Sequence, residues 1–446
     1  MDKIQRALEK ATDTKALVIG HGSLAELPKM FRELFGDSEA IVVADVNTWN
    51  VAGKQADLLL RDSKIHTHDP FIFDEPDLFA EWGFLERLQK CLESTGATAV
   101  AVGSGVINDL TKLASAHLGR RYIIVGTAAS MDGYTAYGAS VSKDGNKQTF
   151  NCPAPLGMIF DPTFAIQAPE GMSASGYADL IAKIPAGADW MLADAAGVEP
   201  IDEFSYSLVQ DGLRDTLADP AAIAARDEKA TEKLAEGLIM SGFAMQALQS
   251  SRPASGMEHQ FSHYWDMDNL CQDGKHVSHG FKVGIGTLVS TACLEFLLGY
   301  DVPSIDEEAC ARNWPSLQEL EKQIAEIFAS KPAHKERALA ETRAKYSQPE
   351  EVARQVRALK KAWPTLKDAI REQIYPFGEL KEKLIAVGAP YEPEQIGISR
   401  ERLKETFRGI PFMRSRFTSI DVLHRCGLLP EVTEYLFSNS LLRSNG

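Results

Sequence analysis

"ATAVAVGSGVINDLTKLAS" runs from residue 97 to 115. Its first part is a compact apolar run rich in valine, as expected of a strand buried on both faces of a parallel sheet. Gly103, Ser104 and Gly105 end that run, and helical periodicity begins at once. Backbone N–H groups at such a helix start can cradle a pyrophosphate, and glycine lets the phosphate come close to the chain.

Working outward, the same unit recurs. "ALVIG" (16–20), "AIVVAD" (40–45) and "YIIVGTA" (122–128) are further runs that end at Gly, Asp or Thr. They predict parallel strands with their active groups at the C-terminal ends. "GASVSKDGNKQTF" (138–150) reads as a hairpin turning at Asp144-Gly145. Prolines then cluster at Pro153, Pro155, Pro162 and Pro169, and from about Ser173 onward the pattern is helical. The expectation is an α/β protein: a Rossmann-like nucleotide-binding domain over 1–168, then an all-helical domain over 169–446 carrying metal and substrate. No internal repeat is present. The charged stretch 319–375 reads as solvated helices or a partner surface.

Composition narrows the function classes. At 446 residues two domains are expected. A net charge of −15 argues against a nucleic-acid or anionic-membrane binder, either of which needs a basic face. The six cysteines form no CxxC pair, which points to reduced thiols in the cytoplasm. The N-terminus is charged rather than signal-like, and no stretch approaches the ~20 apolar residues that span a bilayer, so no membrane insertion is expected.

Candidate chemistry lies in four places. "GHGSLAEL" (20–27) is a second glycine turn but lacks the third glycine of a dinucleotide fingerprint. Asp45, at the end of the second predicted strand, can accept from an adenosine ribose 2′-OH or simply cap a turn; both readings stand. "GTAASMDGY" (126–134) closes a strand with small residues and Asp132. "EHQFSHYWDMDNLCQDGKHVSHG" (258–280) holds four of the ten histidines. His259 and His263, four apart, share a helix face, His279 follows, and Asp179 lies upstream in "SASGYADLIAK". A carboxylate and two imidazoles can hold a divalent ion, but the same spacing suits a structural pair.

Taken in order, "GSGVINDLTKLAS", "GTAASMDGYTA", "GYADLIAK", "EHQFSHYWDM", "SHGFKVGIGT" and "RFTSIDVLHRCGLLPE" (416–431) resemble the iron-containing alcohol dehydrogenase and dehydroquinate synthase superfamily. The closest likeness is to its glycerol-1-phosphate dehydrogenase branch. The resemblance implies a dehydroquinate synthase-like fold and an NAD- or NADP-linked, metal-dependent hydride transfer on a small phosphorylated triol or ketone. It assigns Asp179, His259 and His279 as ligands of one divalent metal. His263 then faces the substrate as a proton-handling group, with Asp132 a second substrate contact. Asp45, Gly103, Ser104, Gly105, Val106, Ile107, Thr127, Ala128, Ala129 and Ser130 correspond to nucleotide-binding positions. Lys183 stands where iron-type relatives carry a further histidine, which implies zinc or nickel rather than iron. His276 matches no ligand, and a homo-oligomer is implied.

Departures from the branch are Ala136, where a serine is usual, and a larger charged helical region after residue 300. An acidic protein needs a local cation for a substrate phosphate, for which Lys183, Arg252 and Lys147 are candidates. Three rivals remain: a dehydrogenase of unphosphorylated glycerol or another polyol, a dehydroquinate synthase-like cyclase, and a non-catalytic scaffold. The aspartate in "GYADLIAK" speaks against the cyclase, which uses glutamate there.

Overall fold

The apolar runs become strands because each is short, β-branched and covered on both faces. The computed structural model describes residues 3–143 and 146–438. Its strands are β1 (Ala16–Ile19), β2 (Ala40–Asp45), β3 (Phe71–Phe73), β4 (Thr98–Gly103), β5 (Ile123–Gly126), β6 (Ala139–Lys143), β7 (Asn146–Phe150) and β8 (Gly157–Phe160). Six of them form one parallel sheet in the order β1-β8-β5-β4-β2-β3. Val42, Val100, Val102, Ile123, Val125 and Ile159 are essentially inaccessible to water at its centre. Burying each is worth roughly 1.5–3 kcal/mol.

Register places the functional turns. Gly103 pairs with Gly126, so the chain leaves β4 and β5 side by side at their C-terminal ends. Thr127 N–H donates to Gly103 O at 3.1 Å, fixing the two exits together. β6 and β7 form the expected antiparallel hairpin; the Asp144-Gly145 turn lies outside the described residues. β3 and β8 were not anticipated.

The helices that matter below are α1 (Gly105–His117), α2 (Met172–Ile181), α3 (Lys183–Ala195), α4 (Glu228–Leu248), α5 (Met257–Met267) and α6 (His279–Gly299). Contacts divide the chain elsewhere than at 168/169. One unit comprises 1–180 with 207–251, and the other comprises 181–206 with 252–446. The reason lies in α4, whose helical pattern looks like the second half of the chain but whose side chains serve the first. Gln246 accepts from Thr14 N–H at 3.1 Å and donates to Thr135 O at 2.9 Å.

One composition-based expectation is corrected. By length and hydropathy α6 would suffice to cross a bilayer. Yet 78% of its apolar window is buried inside the fold, as in a core helix.

Candidate active site

In the first unit, α1 begins directly after the glycine turn, as the sequence predicts. Ser104 at its N-cap is extended and makes no side-chain capping bond, so the first-turn N–H groups are not satisfied by the cap. A Cβ on Gly103 would lie 2.6 Å from the Ile107 side chain, so glycine is required for the helix to fold back against its strand. Val106 and Ile107 continue this turn. Asp45 takes the capping role: one carboxylate oxygen accepts from Thr48 N–H at 2.8 Å, and the Thr48 hydroxyl returns a bond from the Asp45 N–H at 3.0 Å.

The loop after β5 is stiffened by groups that carried no motif. Lys112, fully buried on α1, donates to the carbonyls of Gly133, Ala136 and Gly138 at 2.9–3.0 Å. Tyr134 OH donates to Ala128 O at 2.8 Å. This arrangement holds Thr127–Ser130 and Asp132 in one shape, and Ala136 is one of its carbonyls rather than a bare gap. Asp132 N–H donates to Asp179 Oδ2 at 3.1 Å, and the Asp132 side chain accepts from Ser241 Oγ at 2.9 Å. Asp179 is fully buried on α2, two residues before the chain passes into the second unit at 181. Helix α2 meets the loop backbone to backbone: a Cβ at Gly176 would sit 2.0 Å from Ala129 O.

In the second unit, His259 on α5 and His279 at the start of α6 face each other with ring centroids 5.4 Å apart. His259 Nδ1 is 2.8 Å from Glu258 Oε1, a fully buried carboxylate. His279 Nδ1 is 3.2 Å from Ser262 Oγ. With Nδ1 engaged in each ring, Nε2 is the atom through which either would bind a metal. Glu258 was missed by sequence reasoning, although its place beside a proposed ligand was a signal. His263 stands 6.5 Å from His259, ring to ring. Its Nε2 accepts from Arg414 Nη1 at 3.3 Å, and burial followed by the Arg414 charge holds its pKa well below the usual histidine range. A guanidinium only donates, so the neutral ring carries its proton on Nδ1. His276 is exposed.

The three candidate phosphate cations fare differently. Arg252 is committed to structure, donating to Phe417 O and Asp189 O at 2.9 Å each and pairing with Glu199. Lys183 is fully buried at the start of α3. The Lys147 side chain lies outside the described residues.

Asp189 braces this unit. Its two oxygens accept from Met257 N–H, at the start of α5, and from Ser419 N–H, both at 2.7 Å. Burial and then the Glu258 charge push its pKa up to about 7. Replacing Asp189 with alanine leaves two buried N–H groups unpaired, and urea unfolding should show a loss of about 2–5 kcal/mol. The raised pKa adds a pH signature. Between about 4 and about 7 the folded state holds a proton that the unfolded state releases, so this group's contribution to stability falls as pH rises through that window. Asp189→Asn should flatten that limb.

One donor set among the described residues lies within a single unit. Glu39, His66 and His68 form an exposed one in the first unit, with both imidazoles on the Glu39 carboxylate at 3.0 and 2.7 Å. Asp179 in the first unit, and His259 and His279 in the second, are a carboxylate and two imidazoles of the types that suit a divalent ion.

Comparison with known proteins gives the family. Residues 18–169 match the family model described as iron-containing alcohol dehydrogenase. A glycerol-1-phosphate dehydrogenase of Geobacillus thermodenitrificans is 30% identical, over 93% of this chain and 93% of its own. One from Halalkalibacterium halodurans is 35% identical over 62% of this chain and 69% of its own. Among solved structures, an iron-containing alcohol dehydrogenase of Thermococcus thioreducens superposes with a TM-score of 0.60 at 15% identity, covering 95% of this chain and 98% of that one.

Proposed function

The chain belongs to the glycerol-1-phosphate dehydrogenase branch of the iron-containing alcohol dehydrogenase family, and from that premise we propose that it catalyses reversible hydride transfer between NAD(P)H and C2 of dihydroxyacetone phosphate. The observation that carries this reading furthest is the facing pair His259 and His279, each with Nδ1 engaged by a neighbouring side chain.

Asp179 would join the two histidines as the third ligand. The donor set fits: neutral imidazoles oriented through Glu258 and Ser262, and a buried carboxylate, are the chemistry of a site that keeps positions open for substrate oxygens. We favour zinc or nickel over iron because Lys183 replaces a histidine of the iron-type relatives. When bound, the ion supplies Lewis acidity toward the ketone oxygen and the alkoxide it becomes.

The protein's own residues supply the rest. Gly103–Ile107 would seat the pyrophosphate on the first turn of α1, and Thr127–Ser130 would line the nicotinamide side. The second oxygen of Asp45 would reach the ribose 2′-OH. Asp132 orients Asp179 through its N–H and would contact the substrate. His263 presents its proton from Nδ1, because Arg414 occupies Nε2; it would donate in ketone reduction and accept in the reverse direction.

Metal-loaded protein should oxidise NADH with dihydroxyacetone phosphate and fail with dihydroxyacetone. Turnover with dihydroxyacetone alone would favour the polyol reading. Phosphate release without net NADH consumption would favour the cyclase, and failure to bind NAD(H) would overturn the dehydrogenase reading altogether.

A further inference from the structure

An acidic chain acting on a phosphate monoester must concentrate positive charge locally, and in the second unit it does so at Arg414 and at Arg416, the first residue of the 416–431 segment. Arg414 Nη1 and Arg416 Nη1 each donate to the one hydroxyl of Ser255 at 2.9 Å, and Arg416 Nη1 also donates to Ser255 O at 2.7 Å. Arg414 and Arg416 are both half-buried, so they are shielded from bulk water. Arginine stays charged in such a place. Burial and then the like charge of Arg337 bring the Arg414 pKa down to about 10, and burial followed by Arg414 and Arg252 holds that of Arg416 well below the usual arginine range. The nearby acids are Glu341, Glu258 and Glu199. Glu258 is already bonded to Gly256 N–H and His259.

The segment that carries the two arginines is held at both ends. Ser415 N–H donates to Glu341 at 2.7 Å, Phe417 O accepts from Arg252 at 2.9 Å, and Ser419 N–H donates to Asp189 at 2.7 Å. Thr418 and Asp421 close a capping box on the helix that follows. The guanidinium groups are therefore set in place before any ligand arrives, which lowers the entropic cost of binding. Their direction matters as well: Arg414 reaches His263, and His263 neighbours His259. A ligand seated on the arginines has its other end directed along α5 toward the facing histidines.

We infer that Arg414 and Arg416, with Ser255 between them, form the seat for the phosphate monoester of the substrate. Paired guanidinium groups and a hydroxyl match a tetrahedral dianion, which can take a forked bond from each arginine. This inference rests on the substrate reading above and adds the residues that would separate a phosphorylated ketone from its free counterpart.

The test is steady-state kinetics on Arg416→Gln, which spares the contact to His263. The KM for dihydroxyacetone phosphate should rise on the order of 100-fold, more than kcat falls. Inorganic phosphate, a competitor for the wild-type site, should lose its inhibition, while NADH binding by fluorescence and bound metal per chain stay as in wild type. Arg416→Lys, which keeps the charge but not the fork, should fall between; it also serves if Arg416→Gln does not fold. An unchanged KM in a folded variant overturns the assignment, as does a loss of metal or NADH binding equal to the loss of substrate affinity. Failure of the substrate reading itself looks different. If wild-type protein does not turn over dihydroxyacetone phosphate, titration with inorganic phosphate still decides, since binding lost in Arg416→Gln supports the seat and binding retained overturns it.

Discussion

Replacing His259 with alanine should remove both turnover and bound metal, the first falling on the order of 10⁴-fold and the second to background. The reasoning starts from the ring's two nitrogens. Nδ1 is 2.8 Å from a carboxylate that no water reaches, so the ring is fixed in tautomer and angle, which leaves Nε2 as the atom for the proposed ion. Alanine deletes one of three proposed ligands and strands Glu258, a buried carboxylate that among the described residues then keeps the Gly256 N–H alone. Elemental analysis of purified protein and an NADH-oxidation assay read the two effects. His263→Gln is the informative contrast, because His263 is proposed to handle a proton rather than to bind the ion. It should keep its metal while losing activity. If His259→Ala keeps stoichiometric metal, the ligand set is wrong; if His263→Gln loses it, the roles of the two histidines must be exchanged. A circular dichroism spectrum like that of wild type is needed for either variant to count.

Much of the first unit was legible because its chemistry is local. "AIVVAD" is β2 residue for residue, and the run before Gly103 is β4 but for its first alanine. A valine-rich run bounded by glycine or aspartate has few other uses. β3 and β8 escaped for opposite reasons. "FIF" at 71–73 is three residues long and owes its place to pairing with β2, whereas Gly157–Phe160 sits inside the proline cluster where the pattern turns from α/β to helical. Helix α4 shows how far periodicity reaches: it gives the helix but not the unit it joins. Asp45 was open between cap and ribose contact, and the cap is formed, which leaves the second function a matter for nucleotide binding.

At the candidate site, type and spacing brought out the histidines and Asp132 but none of their supports. Lys112 binds three carbonyls from inside a helix that read as a nucleotide motif. Arg414 and Arg416 lie some 150 residues beyond His263, on a segment with no helical or strand pattern, and a basic residue in a loop carries no signature of its partner. Long-range bonds of this kind are set by the fold. Conversely, Arg252 looked like a ligand-binding cation and is spent on two carbonyls and Glu199.

Gly286→Ala should be the most damaging single-methyl addition in the second unit, costing about 1–3 kcal/mol of stability and loosening metal binding by at least about 10-fold. Gly286 lies on α6, seven residues after His279, where the helix crosses α5 at backbone distance. A Cβ there would stand 2.4 Å from Glu258 O and 3.1 Å from its Cα and carbonyl carbon. These are main-chain atoms of a packed helix, so no rotamer change relieves the overlap and the two helices must separate. Separation acts where it matters, because Glu258 immediately precedes His259 and the two helices carry the facing imidazoles 5.4 Å apart. Two methyl-scale effects therefore compete. Alanine favours a helix over glycine by roughly 1 kcal/mol, but the overlap is larger, so the net sign is destabilising. Gly299→Ala isolates the favourable term, since a Cβ at the last residue of α6 meets nothing within 4 Å. It should leave stability level or slightly raised. Urea unfolding with a metal titration on both variants decides the matter. A Gly286→Ala protein as stable as wild type, with unchanged metal affinity, would mean that the close helix crossing does not hold the two proposed ligands in register.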